Sequence, residues 1–257
     1  MKKISLNKEI IFLILLGLVA RVFVSYFYAD EQLRNEWNMI LHNYEVSGVL
    51  GFNVVINENL ALPKLAETGE KVLPTAFMPP LYLYLIFVIK FLLNDTSNLT
   101  KIIIFIQIIL SLASAFIFYK ILEKLIKKKI NNLILSSIFI FFPLNVYASS
   151  QISSVTLQIF LITGFLYFLF LFKEYKKSKD LVIFSFFSGL LILIRGEFLF
   201  FYIFSLIYFF IYIDRNIKTL LISFIITSIV IIPYLNRNYQ NFDTFVLTKS
   251  FGYNLLK

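Results

Sequence analysis

The sequence predicts an all-α polytopic membrane protein with about seven transmembrane helices and juxtamembrane helices in the first outer loop. Three observations lead there. Hydrophobic residues make up 59% of the 257 positions and charged residues 15%, against roughly 45–50% and about 25% in soluble domains. Apolar residues run nearly unbroken for long stretches instead of alternating with polar ones, which excludes a transmembrane β-barrel. Lysines gather in short runs between those stretches, as topology signals do.

The first span is Ile10 to Tyr28, preceded by Lys2, Lys3 and Lys8. A cleaved signal has an apolar region of about 7–15 residues followed by a small-residue cleavage site, so this longer stretch reads as an uncleaved span with a cytoplasmic N-terminus. Residues 30–75 follow as an outer loop. It carries Asp30, Glu31, Glu36, Glu45, Glu58, Glu67 and Glu70 against Arg34, Lys64 and Lys71, so it is net acidic. Leu33, Trp37, Ile40, Leu41, Tyr44 and Val49 recur at helical spacing there, predicting an amphipathic helix on the membrane surface.

The apolar run Leu81 to Leu93 starts after Pro79-Pro80 and contains Lys90. Thirteen helical residues rise roughly 20 Å, short of a hydrocarbon core of about 30 Å. It is therefore read as juxtamembrane or re-entrant, and the outer loop extends over residues 30–100. Further spans are expected at Ile102–Tyr119, Leu133–Tyr147, Val155–Phe172, Leu181–Ile194, Phe198–Ile213 and Leu220–Tyr234, with an outer tail over 236–257. Residues 1–257 read as a single transmembrane module.

Charge placement orients these spans. If Leu81–Leu93 does not cross, segments 1–9, 120–132, 173–180 and 214–219 share the cytoplasmic side and hold fourteen of the 24 basic residues, as the positive-inside rule requires. Counting it as a crossing would put Lys127-Lys128-Lys129 outside. Seven crossings with the N-terminus inside fit better, although two of them share residues 181–213, leaving Arg195-Gly196-Glu197 below the outer surface. The location is then a cell (inner or plasma) membrane.

Cysteine is absent and His42 is the single histidine, which excludes disulfides and Cys/His zinc sites and leaves carboxylates for acid–base work. The net charge of +9 lies in topology runs and not on one face, so nucleic acid is not an expected partner. No Gly-rich phosphate loop, nucleophile elbow or HExxH motif is present, arguing against an ATP-driven pump or a membrane protease.

Asp30 and Glu31 fall where the first span leaves the membrane, with Glu36 shortly after. A carboxylate there is either a hydrated boundary group or a general base toward a polar acceptor. Arg195, with Glu197 beside it, is the second candidate. An arginine at membrane depth faces a partner, a cavity or the interface, and a lipid phosphate matches its fork. Arg237 follows the last span, with Tyr253 and Asn254 further on, a composition suited to a phosphosugar or to interfacial anchoring. Ser149, Ser150, Gln151, Ser153 and Ser154 offer neutral hydrogen-bonding groups on the same outer side. Arg21 lies inside the first span, either packed against a neighbour or snorkelling.

Four stretches taken in order resemble the glycosyltransferase C superfamily, in its family 39, protein O-mannosyltransferase and aminoarabinose-transferase-like branch: Tyr28-Ala29-Asp30-Glu31 with Asn35-Glu36-Trp37; Phe77-Met78-Pro79-Pro80-Leu81-Tyr82; GLLILIRGE from Gly189 to Glu197; and RNYQNFDTFVLTKSFGYNL from Arg237 to Leu255. The resemblance implies a membrane glycosyltransferase that moves a hexosyl or pentosyl group, with inversion, from a polyprenyl-phosphate-linked sugar to a lipid, protein or glycan acceptor on the outer face. It implies a catalytic base at Asp30, with Glu31 and Glu36 as alternatives, donor-phosphate contacts at Arg195 and Arg237, and substrate contacts at Glu197, Tyr82, Tyr253 and Asn254. No cofactor is expected, and an acid-held divalent metal is not supported because SSQISSVTLQ in the second outer loop contains no acid. Members of the superfamily continue well beyond a point equivalent to Lys257, so the chain resembles their N-terminal part. The competing readings are a lipid-linked glycan flippase or binding subunit, disfavoured by span interiors with few polar residues, and a structural assembly subunit.

Overall fold

The computed structural model describes residues 8–28, 53–55, 72–74, 76, 79–93, 98–213 and 215–248. In chain order these form α1 (Lys8–Tyr28), β1 (Asn53–Val55), β2 (Val72–Pro74), α2 (Pro80–Leu92), α3 (Leu99–Leu125), α4 (Lys129–Ile140), α5 (Pro143–Ala148), α6 (Val155–Tyr175), α7 (Ser178–Ile194), α8 (Phe198–Tyr208), a π-helical turn at Phe209–Ile213, and α9 (Ile217–Phe242). The strands pair antiparallel, with Val54 opposite Leu73, a short ribbon that the helical reading of the loop did not foresee. The amphipathic helix expected from the spacing of Leu33 to Val49, and His42 with it, lie outside the described residues.

The protein is helical and apolar in the manner of a membrane protein, but the expectation of seven crossings is corrected by helix length. Among the described residues, α1, α3, α6 and α9 are long and apolar enough to cross a membrane. The expected span Leu133–Tyr147 divides into α4 and α5. Pro143 has no N–H to continue a helix, and it holds Phe142 extended, at φ −59° and ψ 118°. In the stretch 181–213, α7 has 17 residues and α8 has 11. The arithmetic that crowded two crossings into that stretch is met by short helices. α2 is a 13-residue helix, as its length predicts, with Pro80 in its first turn.

The chain divides into two compact units, one of residues 1–33 with 97–180, the other of residues 34–96 with 181–257. In the first, α3 packs against α1, α4 and α6, and Ile10, Ala115, Tyr119 and Ile140 form a closed apolar core. Two ion pairs mark one of its ends. Lys129 Nζ lies 2.8 Å from the Glu9 carboxylate; Lys124 pairs with Glu174 and stands 5.0 Å over the Tyr175 ring. The start of α1, the end of α3, the start of α4 and the end of α6 therefore share one pole, where the lysine-rich connections lie. At the opposite pole the rings of Tyr28 and Tyr147 meet edge to face at 5.9 Å. α4 and α5 together thus run the length of α1, which is roughly 31 Å at 1.5 Å per residue.

Gly17 sets the approach of α1 to α4: a Cβ there would stand 2.6 Å from Ile140 Cγ2. Small residues of this kind let helix backbones come close where lipid supplies no hydrophobic drive for association. In the second unit Gly189 does the same for α7 and α9, with a Cβ meeting Val230 Cβ at 2.7 Å. Beside that contact is a buried hydroxyl cluster. Ser185 donates to Ser223 at 2.7 Å, Tyr202 OH lies 3.1 Å from the same Ser223 oxygen, and Thr227 donates to the Ser185 carbonyl at 3.0 Å. Phe184 closes one side, its ring 4.9 Å from that of Phe209.

Candidate functional site

The polar pole of the first unit is built on the turn that joins α5 to α6. Pro143 starts α5, a helix of only six residues, so the chain turns back at once. The turn Ser149-Ser150-Gln151-Ile152-Ser153 is nearly free of solvent contact, every residue at most 1% exposed. Burial on this scale demands internal partners for the polar groups. Ser149 donates to the Val146 carbonyl and Ser150 to the Tyr147 carbonyl, each at 2.7 Å. Gln107, fully buried on α3, donates to the Gln151 carbonyl, and the Gln151 amide reaches 3.2 Å to the carbonyl of Tyr28 at the end of α1.

That last contact matters for the acids. It ties down the backbone two residues before Asp30 at a turn crowded with hydroxyl and amide groups. Asp30, Glu31 and Glu36 themselves lie outside the described residues. Two hydroxyls of the pole, Ser153 Oγ and Thr156 Oγ1, are buried without a hydrogen-bond partner among the described residues. Unpaired buried hydroxyls are costly in an apolar setting and suit a polar ligand or water.

The arginine candidates both belong to the second unit. Arg195 ends α7, its N–H still donating to the Leu191 carbonyl, and its own carbonyl accepts from Phe198 at 3.1 Å to start α8. Its side chain and that of Glu197 are exposed, and the two form no ion pair with each other. Arg237 is half-buried near the end of α9. Its guanidinium lies 5.9 Å from the ring centres of both Tyr234 and Phe242, and its Nη1 donates to Asn238 Oδ1 at 2.8 Å.

The segment after α9 brings these two arginines to one end of the unit. Asn238, fully buried, donates to the Val246 carbonyl at 2.6 Å, while the next residue, Leu247, lies over Gly196, where a Cβ would meet its Cδ1 at 3.4 Å. Tyr82 is buried in α2 at 3% exposure, and Tyr84, two residues on, lies within electrostatic reach of Arg237. Tyr253 and Asn254 are outside the described residues. No group of three or more His, Asp or Glu side chains converges among the described residues.

Sequence reasoning missed two polar groupings. The Ser185–Ser223–Tyr202–Thr227 cluster was legible only as small polar residues one helical turn apart on α9, at 223 and 227. Arg21 was noted, but its partners were not. It is fully buried, its Nε donating to Ser111 at 2.9 Å and its Nη1 to the Gly17 carbonyl at 3.0 Å.

No family model matches the chain, and neither the curated proteins nor the solved structures contain a significant match to it.

Proposed function

We propose that this is an inverting membrane glycosyltransferase that transfers a sugar from a polyprenyl-phosphate donor to a lipid, protein or glycan acceptor at the outer face of the cell membrane. The observation that carries the reading is the Gln151–Tyr28 link. It holds the last turn of α1, two residues before Asp30 in sequence, against a buried, uncharged turn beside which the Ser153 and Thr156 hydroxyls have no hydrogen-bond partner among the described residues. The lysine-rich pole of the same unit supports an orientation with that pole in the cytoplasm and the exit of α1 outside.

Asp30 takes the proton of the acceptor hydroxyl as its oxygen bonds to the anomeric carbon, with Glu31 and Glu36 in the same loop as alternatives. The bond from that carbon to the phosphate oxygen breaks, and the electron pair leaves with the polyprenyl phosphate. Arg195 and Arg237 stabilise the charge gathering on that phosphate, a task that suits the guanidinium fork. Glu197, Tyr82, Tyr253 and Asn254 contact the sugar or acceptor.

Membranes containing the full chain, supplied with a radiolabelled polyprenyl-phosphate sugar, test the reading. Asp30→Asn is expected to reduce transfer at least a hundredfold while donor binding persists. Unchanged transfer in Asp30→Asn, Glu31→Gln and Glu36→Gln would refute a catalytic acid in this loop. Donor that crosses the bilayer without being consumed would identify a flippase instead.

A further inference from the structure

A groove of about 550 Å³ opens between the first turns of α1 and the middle of α4, at the lysine pole of the first unit. Leu13 and Leu133 form its half-buried floor, and Phe12 and Ile134, 60% and 53% exposed, form its walls. Lys8 and Glu9 stand at its mouth. The Glu9 carboxylate is engaged by Lys129, whereas Lys8 is exposed and makes no side-chain pair among the described residues. Lys127 and Lys128 directly precede α4 and are also exposed.

We propose that this groove is a binding site for one anionic phospholipid. Its polarity is that of an amphiphile. Cationic groups sit at one end only, and from there an apolar trough runs along two helices toward the middle of the bundle. A phosphodiester at the mouth meets Lys8, which feels the neighbouring Glu9 carboxylate but forms no hydrogen bond or ion pair among the described residues, and an acyl chain fills the trough between Phe12 and Ile134. A protein partner would need polar complementarity along the trough, where only Ser137 offers any, and its hydroxyl already donates to the Leu133 carbonyl at 2.8 Å. Basic pockets between membrane helices next to a charged leaflet hold acidic headgroups by this combination of charge and apolar contact.

Native mass spectrometry of the full chain in neutral detergent, with phosphatidylglycerol or phosphatidylcholine added, tests the site. The wild type is expected to retain one phosphatidylglycerol in preference to phosphatidylcholine. Lys8→Gln is expected to weaken retention about fivefold, the effect of one lysine near a phosphate, and Ile134→Trp to abolish it by filling the trough. Glu9→Gln should act in the opposite direction and tighten retention, because it releases Lys129 toward the headgroup. Equal retention of the two lipids, or retention untouched by both Lys8→Gln and Ile134→Trp, would overturn the proposal. So would a dimer mass abolished by Ile134→Trp, which would give the groove to a second copy of the chain.

Discussion

Ser111 on α3 accepts a 2.9 Å hydrogen bond from Nε of Arg21 on α1, and with the Gly17 carbonyl it engages two of the three nitrogens of a guanidinium that has no solvent contact. The Nη2 of the same group has no partner among the described residues. Removing one partner of a buried charge costs more than replacing the charge by an apolar side chain of similar length. Ser111→Ala is therefore expected to destabilise the protein by about 1–3 kcal/mol, while Arg21→Met stays within about 1 kcal/mol of wild type or exceeds it. Thermal unfolding in detergent followed by circular dichroism ranks the two variants. The reverse order would mean that Arg21 contributes net stability to the α1–α3 contact.

The two glycine contacts differ in what could relieve them. At Gly17 the obstructing atom is Ile140 Cγ2, whereas at Gly189 it is Val230 Cβ. Gly17→Ala and Gly189→Ala should each cost about 1–3 kcal/mol by overpacking. Ile140→Ala removes the obstructing methyl, so it should recover part of the loss in Gly17→Ala. Val230→Ala keeps its Cβ and should recover little in Gly189→Ala. Double-mutant cycles on unfolding free energy read the difference directly.

Lys176 closes α6 in the left-handed region at φ 50°, with its N–H on the Phe172 carbonyl at 2.8 Å. A side chain there costs roughly 1–2 kcal/mol, part of which glycine returns as unfolded-chain entropy. Lys176→Gly is expected to raise stability by about 0.5–1 kcal/mol, measured as a higher unfolding midpoint. A lower midpoint would show that the lysine side chain contributes more than its backbone strain costs.

The pairs Lys129–Glu9 and Lys124–Glu174 put four helix ends at one pole. Single cysteines placed at Lys8, Lys128 and Lys177 in this cysteine-free chain should all react with an impermeant maleimide from the same side of sealed vesicles. The cytoplasmic side is expected. Labelling that splits the three positions between the two sides would contradict the arrangement of α1, α3, α4 and α6.

Hydropathy located the long helices because a continuous apolar run has few other solutions in lipid. α1, α3, α6 and α9 each contain the span expected for them and extend past it by a turn or less at one or both ends, except for the longer C-terminal extensions of α3 and α9. It failed at Leu133–Tyr147 for a reason visible in the letters: Pro143 is as invisible to an apolar count as it is decisive for the backbone. The partner of Arg21 was hidden because Ser111 lies 90 residues away and nothing in a serine's surroundings marks it as an acceptor. The buried turn at 149–153 read as a set of hydroxyls at a membrane boundary. Its exclusion from solvent depends on Gln107 and Tyr28, which come from two other helices. For the candidate site, the expected arginines were found at one end of a unit, tied through Val246 and Leu247, a link that no spacing rule encodes.

The first unit draws α1 from the start of the chain and its other helices from after residue 97, and this imposes an order in time. At roughly 5–20 residues per second, the ribosome delivers Ser111 about 5–18 seconds after Arg21. During that interval α1 is in the bilayer with its arginine facing lipid or translocon, at a cost of roughly 2.5–3.5 kcal/mol on insertion scales. The Gly17 carbonyl, one turn earlier on the same helix, is the acceptor of Arg21 that exists from the outset. This span thus enters the membrane before the residue that completes its burial has been made.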